Sequence, residues 1–287
     1  MKIVTDCAAD IPADELKRLD IVQAPLFIQF PEGEVNSADI SADEFYDRLE
    51  AMRPAIPTTA QPSGGMFAEL YRRVERAEEQ ILSIHISSGL SGTLNAARQA
   101  VDVLGRQAQI KLWDTLTLSG GERFQVLAAA MASKAGWTLQ AIQDRMAKIR
   151  ESTEIVYTLE TLEYLARGGR IGRVKALAGA LLNLKPIIRV EHSDGKYSTV
   201  TSARTMPRAI GSIADHLQGM FGNKPVWVTV LHGRFGEKAD ELAATLRSRL
   251  NVAREEVLRI SPVLGVHTGP GIVGAAVVPM ELMEDLA

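Results

Sequence analysis

At 287 residues the chain is long enough for one large domain or two ordinary ones. Hydrophobic residues make up 46% and charged residues 23%, the balance of a folded globular protein, and a net charge of −3 with no basic arm offers nucleic acid no attracting field. The single cysteine, Cys7, excludes an internal disulfide and any cysteine-based metal cluster. The start, Met-Lys-Ile-Val-Thr-Asp, lacks the apolar core of a signal peptide. No apolar run approaches the length of a membrane span; Ala176 to Leu184 is too short and runs into Lys185-Pro186. A cytoplasmic protein without stable membrane insertion is expected.

Apolar and amphipathic runs alternate, which predicts an α/β protein. Ile3–Thr5 reads as a first strand, and Asp10-Ile11-Pro12 as the cap of a helix through Leu19. Ile21 to Phe30 is extended and interrupted by Pro25. Ser41 to Met52 opens on a capping box, with Glu44 three residues after Ser41. A loop with three prolines, Arg53 to Ser63, precedes a helix at 64–76 with Phe67, Leu70, Tyr71 and Val74 on one face. A buried strand at Ile81–Ile86, a helix at Thr93–Val103, a strand at Gln109–Trp113 and helices near 120–134 and 138–151 follow. A parallel sheet is expected in this half.

The second half reads differently. Ile155–Leu159 is a strand, Leu162–Ala166 a short helix, Arg167–Arg173 a turn and Val174–Leu182 a helix. Lys185–Glu191 and Lys196–Thr201 flank Asp194-Gly195, a good hairpin turn. A helix near 206–221, a strand at Val226–Leu231, a helix at 236–250 and strands at Glu256–Ile260 and Ile272–Val278 complete a mixed sheet. A boundary near 155–170 gives two domains, 1–160 and 161–287.

Four segments carry candidate chemistry. Ser87-Ser88-Gly89-Leu90-Ser91-Gly92-Thr93 lies between a strand and a helix, where unpaired backbone N–H groups, hydroxyls and close-approaching glycines suit an anion. Its plain alternative is a tight turn with Ser91 as the helix cap. Pro57-Thr58-Thr59-Ala60-Gln61-Pro62-Ser63 sets further hydroxyls before the helix at 64, read equally as capping. The two loops could converge on one anion at the carboxyl ends of the strands. Arg167-Gly168-Gly169-Arg170-Ile171-Gly172-Arg173 could hold guanidinium groups near a carboxylate or phosphate, or be a turn with solvated arginines. It is neither a dinucleotide fingerprint nor a phosphate loop of the Walker type. Gly265-Val266-His267-Thr268-Gly269-Pro270-Gly271 reads as a glycine-rich loop between strands, its histidine either a donor to an anion or a structural residue.

His85, His192, His216 and His232 are scattered without metal-ligand spacing, so neither metal nor cofactor is predicted. Ser91 would need glycine at 93 for the nucleophile elbow of a serine hydrolase, and Thr93 stands there. A hydrolase with Ser91 as nucleophile and His267 or His85 as base is one alternative function. A phosphate-binding regulatory module around Arg170 is another.

Taken in order, Ile3-Val4-Thr5-Asp6, Thr59-Ala60-Gln61-Pro62-Ser63, Ser87 to Thr93, Gly168-Gly169-Arg170-Ile171, Ala203-Arg204-Thr205 and His267-Thr268-Gly269-Pro270-Gly271 resemble the DegV family over nearly the whole chain. The resemblance implies a two-domain α/β fold, with an N-terminal parallel-sheet domain and a C-terminal mixed-sheet domain. It also implies a non-catalytic protein that binds a long-chain fatty acid. Some members act as the acyl-binding subunit of a fatty acid kinase, whose partner subunit is of the dihydroxyacetone-kinase-like type. By resemblance, Thr59, Ser91 and His267 hold the carboxylate. Arg170 and Arg204 lie nearby, with Ser88, Gly92 and Thr93 completing the loop. The acyl chain would occupy an apolar tunnel in the second domain. Leu159, Leu162 and Leu165, with Ala176 to Leu184, could line such a tunnel or be ordinary core. A monomer is expected. Cys7 and Ala60 depart from the family, which usually has serine at both positions; the first puts in doubt any role for a hydroxyl beside Asp6.

Overall fold

A computed structural model describes residues 1–74, 80–106, 109–174 and 184–286. Strands β1 (Lys2–Asp6), β2 (Ile21–Ala24), β6 (Ile81–His85) and β7 (Ile110–Asp114) form a parallel sheet in the order β2-β1-β6-β7. Side chains alternate across it, as the pleat requires. Ile3, Leu82 and Ile84 face one core, while Val4, Ile81 and Ile110 face another. Helices α3 (Gly64–Val74) and α4 (Thr93–Leu104) cover the second face through Phe67, Tyr71, Ala97 and Val101.

A mixed sheet follows the order β10-β9-β8-β13-β11-β12, built from β8 (Glu154–Leu159), β9 (Lys185–Val190), β10 (Tyr197–Ala203), β11 (Pro225–His232), β12 (Asn251–Arg259) and β13 (Ile272–Pro279). Only β11 and β12 pair in parallel. β8 already belongs to this sheet at Glu154. Between the two sheets run α5 (Ser119–Lys134) and α6 (Leu139–Ser152). α5 is buried on almost every side, which explains its weak amphipathic signal. Its Phe124 meets the Trp227 ring of the mixed sheet edge-on at 5.3 Å. Helices α8 (Met206–Phe221) and α9 (Gly236–Arg249) cover the far face of the mixed sheet. The layers therefore read helix, sheet, helix, sheet, helix.

A third, small antiparallel sheet orders β4 (Gly33–Asn36), β3 (Phe27–Phe30) and β5 (Thr58–Ala60). It packs on α2 (Ala42–Ala51) and α10 (Pro262–Thr268), with α7 (Glu163–Arg167) beside them. Ser41 caps α2 by accepting the Glu44 amide, as the capping box predicts.

Three local readings need correction. The Arg53–Ser63 loop contains β5, because Thr59 pairs with Ile28. Asp10 does not cap α1 (Ala13–Leu19), which starts behind Pro12 without a side-chain cap; Asp10 turns inward and is buried. The glycine-rich segment at 265–271 is not all loop, since α10 runs through His267 and ends at Gly269-Pro270. The expected helix at Val174–Leu182 and the apolar stretch Ala176–Leu184 fall largely outside the described residues.

Candidate functional site

The carboxyl ends of β1 and β6 open onto a cleft lined by Ala8, Leu26, Thr59, Ile86, Leu90, Ser91, Arg170, Tyr197, Leu264 and His267, among others. Its atom-free space is about 550 Å³, open solvent at the mouth included. Each polar group arrives on a different element. Thr59 comes from β5, Ser91 from the turn before α4, His267 from the last turn of α10, and Arg170 from the turn after α7.

Thr59 Oγ1 and His267 Nε2 are 2.8 Å apart. The other ring nitrogen, Nδ1, is buried without a hydrogen-bond partner. An orphaned N–H is rarer than an orphaned acceptor, so the proton is assigned to Nε2, which donates to Thr59. The Thr59 hydroxyl is then free to donate into the cleft. Burial, aided by the Arg170 charge, lowers the His267 pKa to about 4, so the imidazole is neutral near pH 7. Gly168 makes room for this ring: a Cβ there would stand 2.2 Å from Nδ1.

Ser91 Oγ lies 2.8 Å from Thr93 Oγ1 and accepts the Thr93 amide at 3.3 Å. Gly92, not Ser91, is the N-cap residue of α4. Arg170 is anchored by Nη1 to the Gly168 carbonyl at 2.6 Å and by Nε to the Leu90 carbonyl at 3.5 Å. The lining of the cleft therefore gathers the hydroxyl-bearing Thr59, Ser91 and Tyr197, the Gln61 amide, one neutral imidazole and one guanidinium, with no carboxylate. That set suits a small anion.

Thr59, Ser91, His267 and Arg170 thus meet in one cleft. Gly92 and Thr93 support it from behind Ser91. Ser88 is exposed and bonds Asp114 on β7, and Arg204 is exposed just before the Thr205 cap of α8; both lie outside the lining. Gln61 and Tyr197 line it unforeseen. Gln61 sat in a flagged motif, but nothing distinguished Tyr197 from any strand aromatic.

The loops carrying the site are pinned from beneath. Asp6 accepts the amides of Ala8 at 3.0 Å and Ile86 at 3.1 Å, and meets His85 Nδ1 at 3.0 Å. His85 Nε2 continues to Ser83 Oγ at 2.7 Å, which meets the Tyr71 hydroxyl at 2.9 Å. Asp6, Ser83 and His85 are wholly buried, so this relay ties β1 to β6 and faces no solvent. Cys7 is buried, donates to the Ala24 carbonyl at 3.4 Å, and burial pushes its thiol up to about 12. From above, the β9–β10 turn presses on the serine loop: Ser87 donates to the Gly195 carbonyl at 2.8 Å, and a Cβ on Gly89 would stand 2.4 Å from the Asp194 carbonyl.

Behind the cleft lies a second space lined by Leu118, Ser119, Ile155, Tyr157, Leu231, Ile260, Leu264 and Ile272, almost wholly apolar. Leu264 lines both spaces, and Tyr197 of the first meets Tyr157 of the second edge-to-face at 5.9 Å.

Residues 1–280 match the family described as "Uncharacterised protein, DegV family". The chain belongs to the DegV family. A DegV domain-containing protein of Deinococcus radiodurans is 37% identical over 278 residues, covering 96% of this chain and 95% of its own. Among solved structures, a DegV protein of Thermus thermophilus, described by its fatty acid binding, is 30% identical with a TM-score of 0.90, over 97% of this chain and 99% of its own. A stearic-acid-binding protein of Eubacterium ventriosum is 25% identical with a TM-score of 0.85, over 97% and 98%. The DegV architecture of a parallel-sheet first half and a mixed-sheet second half is the one described above. No described helix is long and apolar enough to cross a membrane. Among the described residues, no group of His, Cys, Asp and Glu could hold a metal ion.

Proposed function

We propose that this protein binds a long-chain fatty acid as a carrier and presents its carboxylate to a separate fatty acid kinase for acyl-phosphate formation. One observation supports this most: the anion-suited cleft and an apolar space share Leu264 in their linings. The carboxylate would accept from Thr59 and Ser91, with His267 holding the Thr59 hydroxyl in place and Arg170 supplying positive charge. The acyl chain would run past Tyr197 and Leu264 between α5 and the mixed sheet. Burial gains roughly 0.8 kcal/mol per methylene, so the tail supplies most of the affinity and the head group sets orientation. The fatty-acid-binding relatives support the ligand class, and the kinase partner rests on the family resemblance.

The hydrolase alternative draws no support from the geometry. His267 contacts Thr59 and His85 is committed to Asp6 and Ser83, while Ser91 meets Thr93. The phosphate alternative leaves the apolar space behind the cleft without a role. Native mass spectrometry of purified protein, followed by delipidation and a thermal-shift screen of fatty acids against sugar phosphates, tests the proposal. Retained fatty acid and a melting temperature raised by fatty acids are expected. A shift by phosphates alone would overturn it.

A further inference from the structure

The lining of the apolar space includes two hydroxyls, Ser119 and Thr268. Ser119, one of its lining residues, donates its hydroxyl to Asp10 Oδ2. The other Asp10 oxygen accepts the Ser261 amide at 2.7 Å. On the far side of that carboxyl lies a separate open groove, lined by Cys7, Asp10, Ile11, Leu16, Leu258, Arg259 and Ser261. Asp10 faces the groove, Ser119 faces the apolar space, and Ile260 and Ser261 are consecutive residues that line one each. The partition is thus about one residue thick.

Both partners of this bond hold the left-handed backbone conformation without being glycine, Asp10 at φ 50° and Ser119 at φ 51°. Such residues are uncommon and persist where surrounding structure enforces them. The Asp10 carboxyl is buried, and that burial raises its pKa to about 6. Losing the Ser119 hydroxyl would leave this desolvated group still worse served.

We propose that the Asp10–Ser119 bond is the end stop of the acyl cavity and limits the chain length of the fatty acid it accepts. This rests on the carrier reading above. An apolar wall yields to a longer chain by rotamer changes, because its side chains lose little by moving. A hydrogen-bonded wall does not yield in this way. A methylene pushed into it must break the bond and leave a buried oxygen unsatisfied, which cancels the gain from its own burial. The cut-off in chain length is therefore sharp. With the bond gone, the tail can extend into the groove beyond, where Ile11, Leu16 and Leu258 offer apolar contact.

Substitutions of opposite sign test this. Ser119→Gly keeps the backbone conformation and removes the hydroxyl; Ser119→Asn also tolerates positive φ and adds bulk. Delipidated protein is exposed to an equimolar mixture of saturated fatty acids from laurate to arachidate, and the retained species are identified by mass spectrometry. Wild type is expected to show an upper limit. Ser119→Gly should move that limit to longer chains, each newly admitted methylene gaining roughly fourfold in relative occupancy. Ser119→Asn should move it to shorter ones. Should Ser119→Gly fail to fold by circular dichroism, Asp10→Asn, which weakens the same bond, takes its place with the same expected direction. A wild type that retains no fatty acid overturns the carrier reading and this proposal with it. A wild type that retains fatty acid, with variants sharing its profile, overturns the end stop alone.

Discussion

Thr59 and His267 are 208 positions apart in sequence and 2.8 Å apart in space. Two predictions belong at this scale. Ser91→Ala removes one donor, so fatty acid affinity should fall roughly fivefold or more, since one hydrogen bond contributes about 1 kcal/mol and one to a charged acceptor more. Titration with a fluorescent fatty acid measures it, and unchanged affinity would remove Ser91 from the site. The second concerns pH. His267 titrates at about 4 in the fold against 6.5 for an ordinary histidine, so the unfolded chain binds more protons between those values. The stabilisation from keeping His267 neutral is thus complete above pH 6.5 and is lost as pH falls toward 4. It amounts to at most about 3 kcal/mol. Buried Asp10 has a raised pKa and acts in the opposite direction, so wild type alone cannot isolate the effect. Comparison with His267→Gln by urea unfolding can: the stability of wild type relative to the variant should shrink from pH 6.5 to 4. A constant difference would show that His267 is not held neutral by burial.

At the scale of elements, much of the fold was legible. The helix at 206–221 and the strand starting at Ile272 follow from clear periodicity and from caps and turns at their ends. α10 was hidden because Pro262-Val263-Leu264-Gly265-Val266-His267-Thr268 is short, apolar and broken by glycine, and so has no polar face to reveal a helix. β5 was hidden because three residues among prolines carry no alternation. Thr59, Ser91, Arg170 and His267, which line one cleft, were legible as hydroxyl, arginine and histidine motifs. Tyr197 and Leu264 were not, because a side chain lining a cavity looks the same in sequence as one filling a core. Arg204, another motif residue, is exposed and is not among the residues lining the cleft. Gly168 gives a prediction here. Gly168→Ala places a methyl against the His267 ring, so α7 and α10 must separate. A loss of roughly 1–3 kcal/mol in stability is expected, together with weakened fatty acid binding. Wild-type stability and affinity would mean that the ring has room to move.

For the whole molecule, the determining element is α5. It packs on both sheets, so each loses the core on its inner face when the helix leaves. Trp113 sits on β7 of the parallel sheet and Trp227 on β11 of the mixed sheet, one reporter for each. Denaturation followed through single-tryptophan variants should give coincident transitions despite the chain's length. Phe124→Ala, which empties the contact with Trp227, should lower both midpoints together at a cost of about 3–5 kcal/mol. Separate midpoints would mean that the two sheets unfold independently.

The walls of the cleft come from every layer it touches: Ile86 and Ser91 from the parallel sheet side, Thr59 from the small sheet, Tyr197 from the mixed sheet, and Leu264 and His267 from α10. A molecule bound there is a cross-brace. It touches surfaces from three sheets at once, so its contacts tie those layers together. Cargo and scaffold would also stabilise each other by mass action. A preparation half loaded with ligand would then melt in two steps, the empty fraction first, and the ratio of the steps would report the fraction of protein that stayed loaded through purification.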